Sequence, residues 1–158
     1  MAALLAISAA CGEEPGGKQN PKPAPKEKPN RPLDKRCVQL VESFAQAVVA
    51  KNYEAAYRCM SDRYQRDVGR DEFLKSISRY RDGVQGALTW TVRVGEDDPK
   101  NIKNDAVAQL FVGDPKIRES IIDEAIIDFK TGGEGWGLVL WCIDEAGSIK
   151  ILNYYQDD

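Results

Sequence analysis

The chain contains no histidine. That absence removes the commonest general base, the usual activator of a serine or cysteine nucleophile and a favoured zinc ligand together, leaving carboxylates, Tyr, Lys and Cys for any chemistry. Cysteine is sparse, and Cys11, Cys37, Cys59 and Cys142 stand at spacings that fit no metal motif. Proline is nearly missing after Pro32, with only Pro99 and Pro115 beyond it, so little interrupts regular structure there. An excess of positive charge is lacking too. Residues 34–158 carry a net charge of -5, which repels a phosphate backbone and argues against nucleic acid as a partner.

What is present falls into three parts. Residues 1–10 are apolar apart from Ser8, and apolar character stops at Cys11-Gly12-Glu13-Glu14. This run is too short to span a bilayer, which takes about 20 residues, but it has the length of the apolar region of a secretory signal. Small residues at 8–10 followed by cysteine resemble the lipobox of bacterial lipoproteins. The resemblance implies that Cys11 is acylated and becomes the first residue of an exported protein held on a bacterial membrane. The usual basic residues ahead of the apolar run are missing, and Ser8 stands where Leu, Val or Ile is customary.

Residues 12–33 hold six of the eight prolines, five basic and three acidic residues, and one large apolar side chain, Leu33. Such a stretch buries too little to offset its ordering entropy and reads as a flexible tether. Extended at about 3.1 Å per residue, it reaches roughly 70 Å. Residues 34–158 then have the size of one domain with one core, large enough to need neither metal nor disulfide for stability. Charge within them is uneven, net +4 over 35–81 and net -8 over 82–158. Solvated surface is the simplest account of that division.

Periodicity divides this domain again. Asp34 caps a predicted helix to about Ala50 with Cys37, Val41, Phe44 and Val48 on one stripe, and Asn52 caps a second, 53–60, with Ser61-Asp62 ending or restarting it. A third helix is predicted from Asp71 to Tyr80 after the break at Gly69. From 88 to 94 the period becomes two, placing Leu88, Trp90, Val92 and Val94 on a buried face. A charged turn at 96–101 and a strand over 106–112 follow. Residues 115–126 fit either a helix with Pro115 at its first position or a strand. A strand over about 120–130 is preferred, because Thr131-Gly132-Gly133-Glu134-Gly135 signals a hairpin. Residues 136–143 are apolar on both faces, as a central strand requires, and 148–156 close the sheet after the turn at 145–147. Helices first and strands afterwards predict an α+β fold with helices on one face of an antiparallel sheet.

Phe44, Ala47, Lys51-Asn52-Tyr53-Glu54-Ala55-Ala56-Tyr57, Met60-Ser61 and Phe73, with Trp136-Gly137-Leu138-Val139-Leu140 and Gly147-Ser148-Ile149-Lys150-Ile151, resemble the nuclear-transport-factor-like superfamily. The resemblance covers most of 34–156 and rests on packing residues, so it points to fold more than to function. It implies a cone-like curved sheet wrapped around its helices, with a possible interior pocket. Members include isomerases, dehydratases and hydrolases, as well as non-enzymatic envelope lipoproteins. In ketosteroid-isomerase-like relatives a tyrosine on the first helix donates to a developing oxyanion. Phe44 holds the matched position here and has no donor, although Tyr57 is near enough in sequence to supply one.

Phe44, Tyr57, Trp90 and Trp141 are the candidate pocket residues, and Trp136, Tyr154 and Tyr155 are further aromatics able to line an apolar cavity. Each is equally at home in a plain core. Glu96-Asp97-Asp98 lacks the alternating ligands of a calcium loop, and the glycines at 132–135 lack the helix and lysine of a phosphate loop. Neither a metal nor a cofactor is expected. Setting Cys11 apart leaves three cysteines, so at least one stays free in a monomer. Cys37 and Cys59, on adjoining helices, are the expected pair if any bridge forms, and Cys142 sits in an apolar strand where its thiol pKa rises. The expected function is non-catalytic: a lipid-anchored protein whose pocket or sheet binds a small apolar ligand or an envelope partner. A pocket enzyme using carboxylate acid–base catalysis and a structural or assembly protein are the alternatives. Paired buried carboxylates would favour the enzyme, aromatics enriched on the concave face with few buried carboxylates would favour binding, and a filled core with an apolar outer patch would favour assembly.

Overall fold

The computed structural model describes residues 32–82, 84, 86–95, 114–132 and 134–157. Cys11, the leader, nearly all of the tether, the turn at 96–101 and the expected strand at 106–112 lie outside the described residues.

The Asp34 carboxylate accepts from the Arg36 amide at 2.8 Å and caps α1, Lys35–Val49, whose stripe Cys37, Val41, Phe44 and Val48 is buried as its spacing predicts. The helix stops where Lys51 turns left-handed at φ 57, letting the Lys51 and Asn52 amides donate to the Val48 and Ala47 carbonyls. Asn52 caps α2, Tyr53–Arg58, directly afterwards. That helix is shorter than expected, because Ser61 caps a separate α3, Asp62–Asp67, with its hydroxyl accepting from the Tyr64 amide. Gly69, at φ 80, then precedes α4, Arg70–Asp82. Arg81 is buried near the end of α4 and donates to the Val49 carbonyl at 3.4 Å and the Val84 carbonyl at 2.9 Å, tying the C-terminal ends of α1 and α4 together.

β1, Thr89–Val94, opens the sheet. In the ambiguous segment both alternatives are realised in turn: Asp114 caps a single-turn α5, Pro115–Glu119, with proline in its first turn, and β2, Ile121–Thr131, follows. β3, Glu134–Glu145, and β4, Ser148–Asp157, complete an antiparallel meander in the order β1-β2-β3-β4. Thr131 pairs with Glu134, as the glycine-rich hairpin signal requires. The domain is α+β, with α1 to α4 packed on one face of the sheet.

Two register shifts decide which residues face the helices. Between Ile121 and Asp123 an extra residue enters β2, so Ile122 and Asp123 both turn toward the helix side while Ile121 points away. Between the partners of Trp141 and Cys142 the extra residue is on β4: Cys142 pairs with Ile151 and Trp141 with Asn153. Ile151 and Tyr154 therefore join the helix-side core, with Ala125, Ile127, Phe129, Leu138, Leu140 and Cys142, while Leu152 joins Ile121, Trp141 and Ile143 on the outer face. Without that shift, simple alternation from Ile151 would send Tyr154 outward. The connector between α2 and α3 runs along β4 in parallel, with the Ile151 amide donating to the Cys59 carbonyl and the Ser61 amide to the Ile151 carbonyl.

Candidate binding site

Cross-strand pairing lines up Trp90, Phe129 and Trp136 as one aromatic row on the helix side of β1, β2 and β3. Trp136 stacks on Phe129 with ring centroids 4.2 Å apart, and Tyr80 of α4 stacks on Trp136 at 5.6 Å. Further along the sheet Tyr154 meets Phe44 of α1 at 6.2 Å, Phe73 of α4 at 5.8 Å, Tyr64 of α3 at 6.1 Å and Tyr80 at 6.4 Å. Aromatic side chains from α1, α3, α4 and all four described strands thus converge in the helix–sheet interior. Tilted and edge-on contacts of this kind contribute about 0.5–1.5 kcal/mol per pair beyond area burial.

Polar groups within that interior set its chemistry. Burial raises the pKa of Tyr64, and the neighbouring Tyr154 raises it further; burial likewise raises that of Tyr154. Both hydroxyls keep their protons at neutral pH and act as donors. The Tyr154 hydroxyl lies beside those of Tyr64 and Ser76, whose interaction with it offsets part of the effect of burial. The indole Nε1 of Trp136 is buried and has no acceptor among the described residues. A buried donor without a partner costs about 1–3 kcal/mol, and this one belongs to the ring stacked on Tyr80. Tyr80 and Trp136 are only half-buried, so that edge of the interior meets the surface.

Of the candidate pocket residues, Phe44 lies in this interior, fully buried. Tyr57 adjoins it, 5.3 Å from Phe73, but its hydroxyl donates to the Gln65 carbonyl at 3.2 Å and is engaged locally. Trp90 is half-buried at the far end of the aromatic row, its Nε1 donating to Glu42 of α1 at 2.7 Å. Trp141 is not part of the site. It belongs to the outer face, where its Nε1 donates to Glu124 at 2.9 Å and Tyr155 meets it edge-on at 6.1 Å. Alternation explains the separation, since Leu140 and Cys142 on either side of it point to the helices. The tyrosine ring that meets Phe44 is that of Tyr154, a placement set by the β4 register shift. An asparagine inside a strand, Asn153, was the available signal of an irregularity.

Asp123 and Glu124 are adjacent buried carboxylates, 2 % and 3 % exposed. Asp123 accepts from the Asp34 amide at 3.1 Å on the helix side, whereas Glu124 faces Trp141 on the other. Pointing to opposite faces of one sheet, they cannot act on a common substrate. Among the described residues no group of three or more Cys, Asp or Glu side chains is placed to hold a metal ion. No described helix is long and apolar enough to cross a membrane.

The cysteine expected to partner Cys37 is corrected by the structure. Cys59 donates to the Ala55 carbonyl at 3.5 Å, while the thiols of Cys37 and Cys142 are in contact. The hydrogen bond to Cys37, with burial, holds the Cys142 thiol well above its ordinary pKa; burial raises that of Cys59. All three are free thiols here.

Searches of known protein families, curated proteins and solved structures find no match to this chain.

Proposed function

We propose that this protein is a non-catalytic binding module, of nuclear-transport-factor-like cone form, exported and held on a bacterial membrane through a lipid at Cys11. Its helix–sheet interior takes a small, largely apolar ligand that presents a hydrogen-bond acceptor. The observation that carries the ligand reading is the buried donor Trp136 Nε1, stacked against Tyr80 at the half-buried edge of the interior and without an acceptor among the described residues. Apolar walls with a few convergent polar groups are the ordinary makeup of a small-molecule site. The separation of Asp123 from Glu124 and the lack of histidine support binding over acid–base chemistry.

Acetophenone and ethylbenzene share a phenyl ring and differ in a carbonyl acceptor, so they test this reading as probes. Acetophenone at millimolar concentration is expected to raise the melting temperature more than ethylbenzene does, because only ligand bound to the native state stabilises it. Trp136→Phe, which keeps a stacking ring and deletes the donor, should remove the difference. Equal shifts from both probes, or none from acetophenone, would contradict the ligand reading. The anchor is tested separately by metabolic labelling with a fatty-acid analogue. Label is expected in wild type and absent in Cys11→Ala, and equal label in the two would refute lipidation at Cys11.

A further inference from the structure

The first turn of α1 is fastened to the middle of the sheet on both sides of one residue. The Asp34 amide donates to Asp123 of β2 at 3.1 Å, and Arg36 pairs with Asp144 of β3 at 3.6 Å. Cys37, one helical turn after Asp34, is fully buried on the same side. Asp123 is the cross-strand partner of Cys142, which is also fully buried and lies two residues before Asp144. Helix and strand therefore bring these two fully buried side chains into one core cluster, with their thiols at hydrogen-bonding range. Cys59 is excluded from the arrangement. It is half-buried on α2's side, beyond the parallel bridge to Ile151.

We propose that Cys37 and Cys142 are a disulfide-forming pair, which closes during folding under oxidising conditions and leaves Cys59 as the free thiol. The reaction forms one S–S bond. The two thiols lose two protons and two electrons, and a disulfide oxidant such as oxidised glutathione takes them up and becomes two thiols. Because the native thiols are buried and Cys142 is held protonated, exchange through the folded state is slow, and closure belongs to refolding or to local opening of the first turn of α1. The bridge would close a loop of about a hundred residues, the regime in which restricting the unfolded chain stabilises most. The pairing does not rest on the ligand reading or on the lipid anchor.

Refolding the full chain from urea in a glutathione redox buffer, then alkylating under denaturing conditions, tests it. Trypsin cuts after Lys18, Arg36, Arg58 and Lys130, so Cys11 and the three cysteines of the domain fall in four separate peptides. The expected product is peptide 37–51 joined to peptide 131–150, lighter by two hydrogens than their sum, with Cys59 alkylated on peptide 59–63. The oxidised protein should melt about 10 °C above its reduced form. Cys59→Ala should leave that difference unchanged, and Cys37→Ala should abolish it. Alkylation of all three cysteines after redox refolding, or a linked peptide containing Cys59, would overturn the assignment. If Cys37→Ala fails to fold, the peptide map of the wild type and of Cys59→Ala still decides.

Discussion

Phe73→Ala is expected to lower the free energy of unfolding by about 3–5 kcal/mol, the range for deleting a fully buried phenyl ring. Phe73 is completely buried and is the ring on which three tyrosines converge, Tyr57 at 5.3 Å, Tyr154 at 5.8 Å and Tyr64 at 6.1 Å. These neighbours come from α2, α3 and β4, so no single element can move to fill the space without losing its other contacts. The cavity term should therefore add to the transfer term. Equilibrium unfolding in urea measures the effect. Phe73→Leu, which keeps most of the volume, should cost less than half as much. A loss below about 1.5 kcal/mol for Phe73→Ala would mean that the cluster collapses freely, against the packing described here.

Gly95→Ala is the second large effect, arising on the opposite side of the sheet. The buried Gly95 amide donates to the Glu124 carbonyl at 2.7 Å, and a Cβ built on Gly95 would lie 2.7 Å from the Glu124 Cβ and overlap its Cγ and Oε1. The Glu124 side chain cannot swing away without giving up the 2.9 Å bond from Trp141 in a site only 3 % exposed. Overpacking of about 1–3 kcal/mol and the lost hydrogen bond to a charged group, about 1.5–3 kcal/mol, combine to a loss of about 3 kcal/mol or more. Glu124→Ala in the same chain removes the Cγ and Oε1 overlaps, so the double variant should be more stable than the sum of the single losses predicts. Strict additivity in that cycle, read by urea unfolding with Trp141 as a nearby reporter, would show that the two residues do not compete for space.

Helices and their caps were legible because their signals are local. Asp34 and Asn52 are short acceptors standing just ahead of apolar stripes, and each caps the helix that follows it, whereas Ser61-Asp62 left open whether a helix ends or restarts, and Ser61 caps a new one. The hairpin at 131–134 and the α+β order were legible for the same reason: turn residues and a change of period act within a few positions. The strand expected over about 120–130 is β2, while the single turn of helix ahead of it was not separable from it in sequence, because a periodicity window averages over both.

The site was only partly legible. Phe44 and Tyr57 fall at the interior because a helical stripe fixes its own direction. The strand aromatics depend on register, and one extra residue on β4 places Tyr154 inside and Tyr155 outside. Trp141 illustrates the limit in another way: in a strand apolar on both faces, composition does not say which face meets the helices. The contact between Cys37 and Cys142 is long-range, fixed by how α1 lies across β2 and β3, whereas the expected Cys37–Cys59 pair rested on nearness along the chain.

The fastening of α1 has a mechanical consequence. Tension in the chain ahead of Leu33 enters the domain at Asp34, whose amide is bonded to Asp123 of β2, while Arg36 passes load to Asp144 of β3. β2 and β3 are the inner strands of the described sheet, each hydrogen-bonded on both sides, so the pull arrives at the middle of the sheet and not at a rim. A rim strand can be unzipped one bond at a time under a small force. The load reaches those inner strands only through the Asp34–Asp123 hydrogen bond and the Arg36–Asp144 ion pair, so these two contacts yield before the ladders of β2 and β3 do.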